Sequence, residues 1–182
     1  AMGRKTPDGK NEFDVILVDI ARARISAYLH DERIEEVAAG DLEAFEAYAK
    51  TAADANQPGL VAWYRYKRKE FKQSLEWFKT ALSKGGDSMI AHGLAHSLRE
   101  LGYFRETEEV AYAWRQYLTN NRILFIDILE RDLTREIPPY IESERLARYG
   151  RVSAEDASGE GAPAHAWYAY NSCQSEVALE WF

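Results

Sequence analysis

With 182 residues, 46% of them apolar and 29% charged, the chain has a globular composition and the length for one ordinary domain or a short run of repeats. Only 5 Pro and 11 Gly argue against a turn-rich all-β design, and a net charge of -7 with a pI near 5.2 opposes nonspecific binding to nucleic acid or anionic membranes. A single cysteine, Cys173, excludes an internal disulfide and a thiolate metal cluster, and no apolar run approaches the roughly 18 residues of a membrane span.

In chain order, Ala1-Met2-Gly3 reads as a cloning scar, and residues 1–10 as a tag-derived, disordered start. Residues 13–29 carry Phe13, Ile16, Ile20, Ile25, Tyr28 and Leu29 near the helical period and predict a long helix. Residues 42–55 predict another, with Leu42, Phe45, Tyr48 and Ala49 on one face and Asp41 as N-cap after Gly40. Together, residues 11–57 form an N-terminal capping pair for the repeats that follow.

Those repeats announce themselves by an internal match. Residues 61–78 and 165–182 share Ala-Trp-Tyr-x-Tyr and Leu-Glu-Trp-Phe, eight identities in 18 ungapped positions at an offset of 104. A further copy lies between, because Lys69-Glu-Phe-Lys-Gln-Ser realigns with Gly102-Tyr-Phe-Arg-Glu-Thr at a spacing of 33. Residues 58–117 therefore read as two helix-turn-helix units, with helices near 58–68, 71–84, 87–101 and 104–117. Gly85-Gly86 separates the units, Asp87 is the N-cap of the third of these helices, and Gly102 suits a left-handed turn. Residues 118–163 predict a divergent helix pair broken at Pro138-Pro139: one helix with Ile123, Leu124, Ile126, Leu129 and Leu133, another over 141–149, then a loop over 153–163. Residues 164–182 begin a further, truncated repeat, which suggests a fragment of a longer array.

The 33-residue spacing and the turn pattern resemble the tetratricopeptide (TPR) family. Its small residue followed four positions later by an aromatic is met by Ser74 and Phe78 and by Ala178 and Phe182. Thr107 and Ala111 depart from it, with Trp114 one turn later a candidate for the missing bulk. The expected fold is an all-α, TPR-like solenoid. In the family the first helix of each repeat lines a concave ligand groove, and the resemblance implies that here Trp63, Tyr66, Lys67, His92, His96, Arg99, Glu100, Trp167, Tyr170 and Asn171 line it. Aromatics there can stack on sugars or grip peptide side chains, although repeat aromatics more commonly pack within the array.

Other chemistry is thin. His92, His96 and Glu100 recur at four-residue spacing, but Gly93 stands where a zinc-protease helix needs Glu, so no metal site and no cofactor is expected. The basic run Arg65, Lys67, Arg68, Lys69 and Lys72 lies where a helix ends, where cations oppose the negative end of the dipole. No phosphate loop, nucleophile elbow or dinucleotide fingerprint occurs, so no enzymatic activity is expected.

Ala62-Trp-Tyr-x-Tyr66, Leu75-Glu-Trp-Phe78 and the intervening Gly93-Leu-Ala-His-Ser-Leu-Arg-Glu-Leu-Gly-Tyr103 also resemble repeats of bacterial exopolysaccharide operons, the cellulose synthase C-type export subunit among them. That resemblance implies a periplasmic scaffold in polysaccharide synthesis or secretion, with protein partners, polysaccharide as a further ligand, and neither nucleic acid nor membrane insertion. The alternatives are a generic peptide-binding adaptor, cytoplasmic in that case, or a helical accessory domain of a cell-wall enzyme.

Overall fold

A computed structural model describes residues 12–31, 35–155 and 161–182, with side chains from residue 15 onward. The N-terminal scar lies outside these residues. The described chain forms ten helices: α1 (Glu12–His30), α2 (Ala39–Thr51), α3 (Asn56–Lys67), α4 (Phe71–Ser83), α5 (Ser88–Glu100), α6 (Phe104–Trp114), α7 (Thr119–Leu133), α8 (Ser143–Glu155), α9 (Gly161–Asn171) and α10 (Ser175–Trp181). They fall into two compact units that divide between Leu101 and Gly102.

In the first unit α1 packs on α2 and α3, α3 on α4, and α4 on α5. Its core gathers Ala21, Ile25, Val37, Leu42, Phe45, Ala49, Val61 and Tyr64. Helix α4 shows why the sequence folds this way: Ser74, Leu75, Phe78 and Ala81 form one buried stripe at helical spacing. Ser74 Oγ donates to the Ala62 carbonyl at 2.9 Å and meets Ser97 Oγ at 3.0 Å, so a small residue joins α3, α4 and α5 at close range. Asp87 caps α5 as predicted, accepting from the Met89 and Ile90 amides at 3.0 Å each. Asp41 does not cap α2. That helix starts three residues earlier, beyond Ala38, and places Asp41 in its first turn, where it pairs with Arg24 of α1. On α1, Ile25 is fully buried, whereas Ile16 and Ile20 are exposed together with Val15 and Leu17.

In the second unit α6 packs on α7, α7 on α8 and α9, and α9 on α8 and α10. Phe125, Leu129, Leu133, Tyr149 and Val152 are among its large buried residues. Trp114 is half-buried and pairs with Tyr117, while Tyr112 packs on Phe125 from α7. The loop expected over 153–163 is largely helical where it is described. Ser153–Glu155 complete α8 and Gly161 opens α9, with residues 156–160 outside the described set.

The backbone carries the repeat alignment more plainly than the side chains do. The three aligned turn residues, Lys69, Gly102 and Cys173, all adopt positive φ, at 60°, 81° and 59°. The Glu70 amide reaches back to the Arg65 carbonyl at 2.9 Å and the Gln174 amide to the Ala169 carbonyl at 2.9 Å, the same helix-ending bond 104 residues apart. The correspondence extends further upstream than the sequence match. Tyr64 Oη accepts from the Val37 amide at 3.1 Å, and Tyr168 Oη from the Ile141 amide at 3.0 Å, again with both partners displaced by 104. Buried Ala21, Ile25 and Phe45 likewise have buried counterparts in Phe125, Leu129 and Tyr149. Residues 12–78 and 116–182 are thus two versions of one four-helix plan.

Candidate functional site

In the first unit, α3 and α5 lie side by side and present most of the groove residues on one face. Trp63 stands edge-on to Tyr66, with centroids 5.9 Å apart, and Tyr66 meets His96 at 6.2 Å. The His96 and His92 rings are 4.4 Å apart, with their Nε2 atoms at 3.1 Å. An N–H···N contact of this kind needs an acceptor nitrogen, so at least one ring is neutral. Arg99 and Glu100 are exposed at the C-terminal end of α5, close enough for Glu100 to raise the Tyr66 pKa after burial, the larger cause. The result is an aromatic and imidazole strip, half-buried, with charge at one end.

The strip is held from beneath. Trp63 also stands edge-on to Phe78 at 5.0 Å and 84°, and Tyr66 to Phe71 at 5.4 Å, so both rings combine packing with surface. Lys67 does not join them. Its ammonium donates to the Tyr28 and Leu29 carbonyls at 2.8 and 3.2 Å and thereby closes the C-terminal end of α1. In the second unit Trp167, Tyr170 and Asn171 are exposed on α9. Trp167 repeats the first unit's geometry, 5.9 Å from Tyr170 and 5.4 Å from Phe182, each at 90°.

The two arginines of the basic run beside the strip are paired with carboxylates. Arg65 bonds Glu46 and Glu70 at 2.6 and 2.5 Å, and Arg68 bonds Glu70 at 2.9 Å and also Glu36. Burial opposes charge on Glu70, yet its two arginines hold the carboxyl below the usual range. A cleft of about 470 Å³ lined by Arg65, Lys72, Glu76 and Trp77 lies on the α2 and α4 side, away from the α3–α5 strip. No group of three or more metal-ligating side chains occurs among the described residues, and no described helix is long and apolar enough to cross a membrane.

His96 is pushed down to about 4 by burial first, then by His92 and Arg99. Because the folded value lies below the unfolded value of about 6.5, its contribution to stability is complete above that pH and is lost as pH falls toward 4. There the unfolded chain takes up a proton that the folded chain refuses. Urea unfolding should therefore show a smaller loss of stability between about pH 7 and 4 in His96→Gln than in the natural chain. The same pH dependence in both would contradict a neutral His96. His165, buried against Trp181 and also lowered by burial, leaves a remainder of the same sign.

No protein-family model and no characterised protein matches the sequence. Solved structures with a similar backbone include MamA of AMB-1 in a P212121 crystal, with a TM-score of 0.61 at 12% identity over 93% of this chain and 87% of that one. They also include YrrB, described as a TPR protein with an unusual peptide-binding site, with a TM-score of 0.60 at 15% identity over 92% and 82%. With helices alone and no strand among the described residues, these likenesses show the fold to be an all-α, TPR-like solenoid.

Proposed function

We propose that the chain is a non-catalytic scaffold whose α3–α5 face receives an extended segment of a protein partner. The observation that carries this reading is the strip Trp63–Tyr66–His96–His92, an amphipathic surface anchored on Phe78 and Phe71 and flanked by Arg99 and Glu100. Rigid aromatics with polar tips are favoured anchors at protein interfaces. The peptide-binding site described for YrrB supports the same use of the fold. Peptides selected from a random display library on the immobilised chain should lose most of their binding in His96→Ala and in Arg99→Ala, while thermal midpoints change little. Selected peptides that bind both variants as tightly as the natural chain would remove this face as the site.

The finer reading, a periplasmic scaffold of an exopolysaccharide assembly that also contacts the polymer, rests on the resemblance of the Ala62–Tyr66 and Leu75–Phe78 motifs. Trp63 and Trp167, each edge-on to a tyrosine on its own helix, are the rings on which a glucan would stack. Titration with cello-oligosaccharides should then shift the tryptophan fluorescence, and Trp167→Ala should reduce the shift. An unchanged spectrum would leave protein partners as the sole ligands.

A further inference from the structure

The second unit holds a site of different chemistry. A cavity of about 420 Å³ opens where the turn before α6, the end of α7 and the start of α8 meet, a volume within the range of ordinary ligand pockets. Four guanidiniums line it, those of Arg105, Arg131, Arg135 and Arg145, against the carboxylates of Glu106 and Asp132. Asp132 is shared by Arg131 and Arg135 at 3.2 Å and by Arg145 at 3.3 Å. Arg145 and Arg105 also reach the buried Glu108, at 2.7 and 3.2 Å.

Each guanidinium has five N–H donors, so this sharing leaves many unused. Arg105 reaches Glu108 through Nη1 and Arg135 reaches Asp132 through Nη2, and both side chains are about half exposed, at 52%. Arg131 lies with Cζ 3.5 Å over the Phe104 ring, and its buried Nε has no hydrogen-bond partner among the described residues. The backbone adds to the same field. Helix α6 begins after Tyr103 with no side-chain cap, and Phe104, Arg105 and Glu106, its first three residues, all lie on the cavity wall. Their amides are the positive end of that helix, a natural seat for an anion.

We infer that this cavity binds an oxyanion, the carboxylate or phosphate of an acidic segment of a protein partner. Arginine is suited to this work because its planar fork matches both groups bidentately. The rim offers exposed Tyr103 and Tyr140 to the rest of such a peptide. The net charge of -7 does not forbid it, because charges beyond about 8 Å are largely screened at physiological salt. The site lies in the second unit and stands independently of the α3–α5 face.

The test is fluorescence anisotropy with labelled peptides of one length: a glutamate run, its phosphoserine counterpart and its glutamine counterpart. The charged peptides should bind and the neutral one should not. In Arg105→Gln/Arg135→Gln the affinity should fall by about tenfold or more, with an unchanged thermal midpoint. Arg151→Gln, an exposed position on α8 outside the cavity, should bind as the natural chain does. Binding of the phosphoserine peptide alone identifies phosphate as the ligand, and of the glutamate peptide alone, carboxylate. In the natural chain the amide resonances of Arg105 and Glu106 should shift on titration. Equal binding of the neutral peptide, no binding of either charged peptide at low salt, full binding by the double variant, an equal loss in Arg151→Gln, or unmoved α6 amides would each overturn the inference.

Discussion

Replacing Arg145 by Met should destabilise the chain by about 3–5 kcal/mol, because it strands a buried carboxylate. Glu108 is 1% exposed, and Arg145 meets it through Nε at 2.8 Å and Nη2 at 2.7 Å. The remaining partner, Arg105, touches it at 3.2 Å from a half-exposed position. The intact pair contributes far less than its loss would suggest, since two charges must be desolvated to make it. The double variant Glu108→Leu/Arg145→Met should therefore recover most of the stability lost in Arg145→Met. A midpoint in urea that hardly moves for Arg145→Met would mean that water reaches Glu108.

A comparable loss is expected at Phe78, whose ring is fully buried between Trp63 and Gly93. Phe78→Ala should cost about 3–5 kcal/mol through the cavity it leaves. Gly93→Ala attacks the same contact from the other side. A Cβ there would stand 2.1 Å from the tip of the Phe78 ring, and overpacking of this kind costs about 1–3 kcal/mol. The two sites should be coupled, so Gly93→Ala should cost less in a Phe78→Leu background than alone. Simple additivity in urea unfolding would mean that the ring is not confined by Gly93. Either single change should also release Trp63 from its support and weaken binding at the α3–α5 face.

The central repeats were legible because their packing obeys the family's local rules. Ser74 and Phe78 are buried where a small and an aromatic residue are expected, and Gly102 takes the left-handed turn. The outer helices were harder to relate, because burial is kept there while residue type is not: Ala21 answers to Phe125, and Ile25 to Leu129. Gly161 misled for a physical reason. It fell in the loop expected over 153–163, but a Cβ on it would stand 2.2 Å from Ser153 Oγ, and its carbonyl accepts from Tyr149 Oη at 3.0 Å. The glycine lets α9 approach α8.

Site residues divided along the same line. The resemblance to the repeat family implied that Trp63, Tyr66, His92 and His96 share one face, because the turn alignment behind it covers α3 and α5. It could not place Lys67, whose partners are carbonyls of α1 far away in sequence. The arginine cavity of the second unit gave no local signal at all. Arg105, Arg131 and Arg145 come from three helices, whereas in the visible run from Arg65 to Lys72 the two arginines are tied up with Glu36, Glu46 and Glu70.

Two versions of one plan in a single chain create a recognition problem during folding, since each helix has a second surface that it nearly fits. The ion pairs are where the versions differ. Arg24 meets Asp41, and Glu46 meets Arg65, whereas the positions 104 residues later hold Ile128, Arg145, Gly150 and Ala169. If α1 docked on α8, Arg24 would face Arg145, a repulsive pairing. If α3 docked on α8, Arg65 would face Gly150 in place of Glu46 and keep only Glu70 of its two carboxylates. Such mispairings are disfavoured by charge even where shape allows them, so these salt bridges favour the pairing of each helix within its own half.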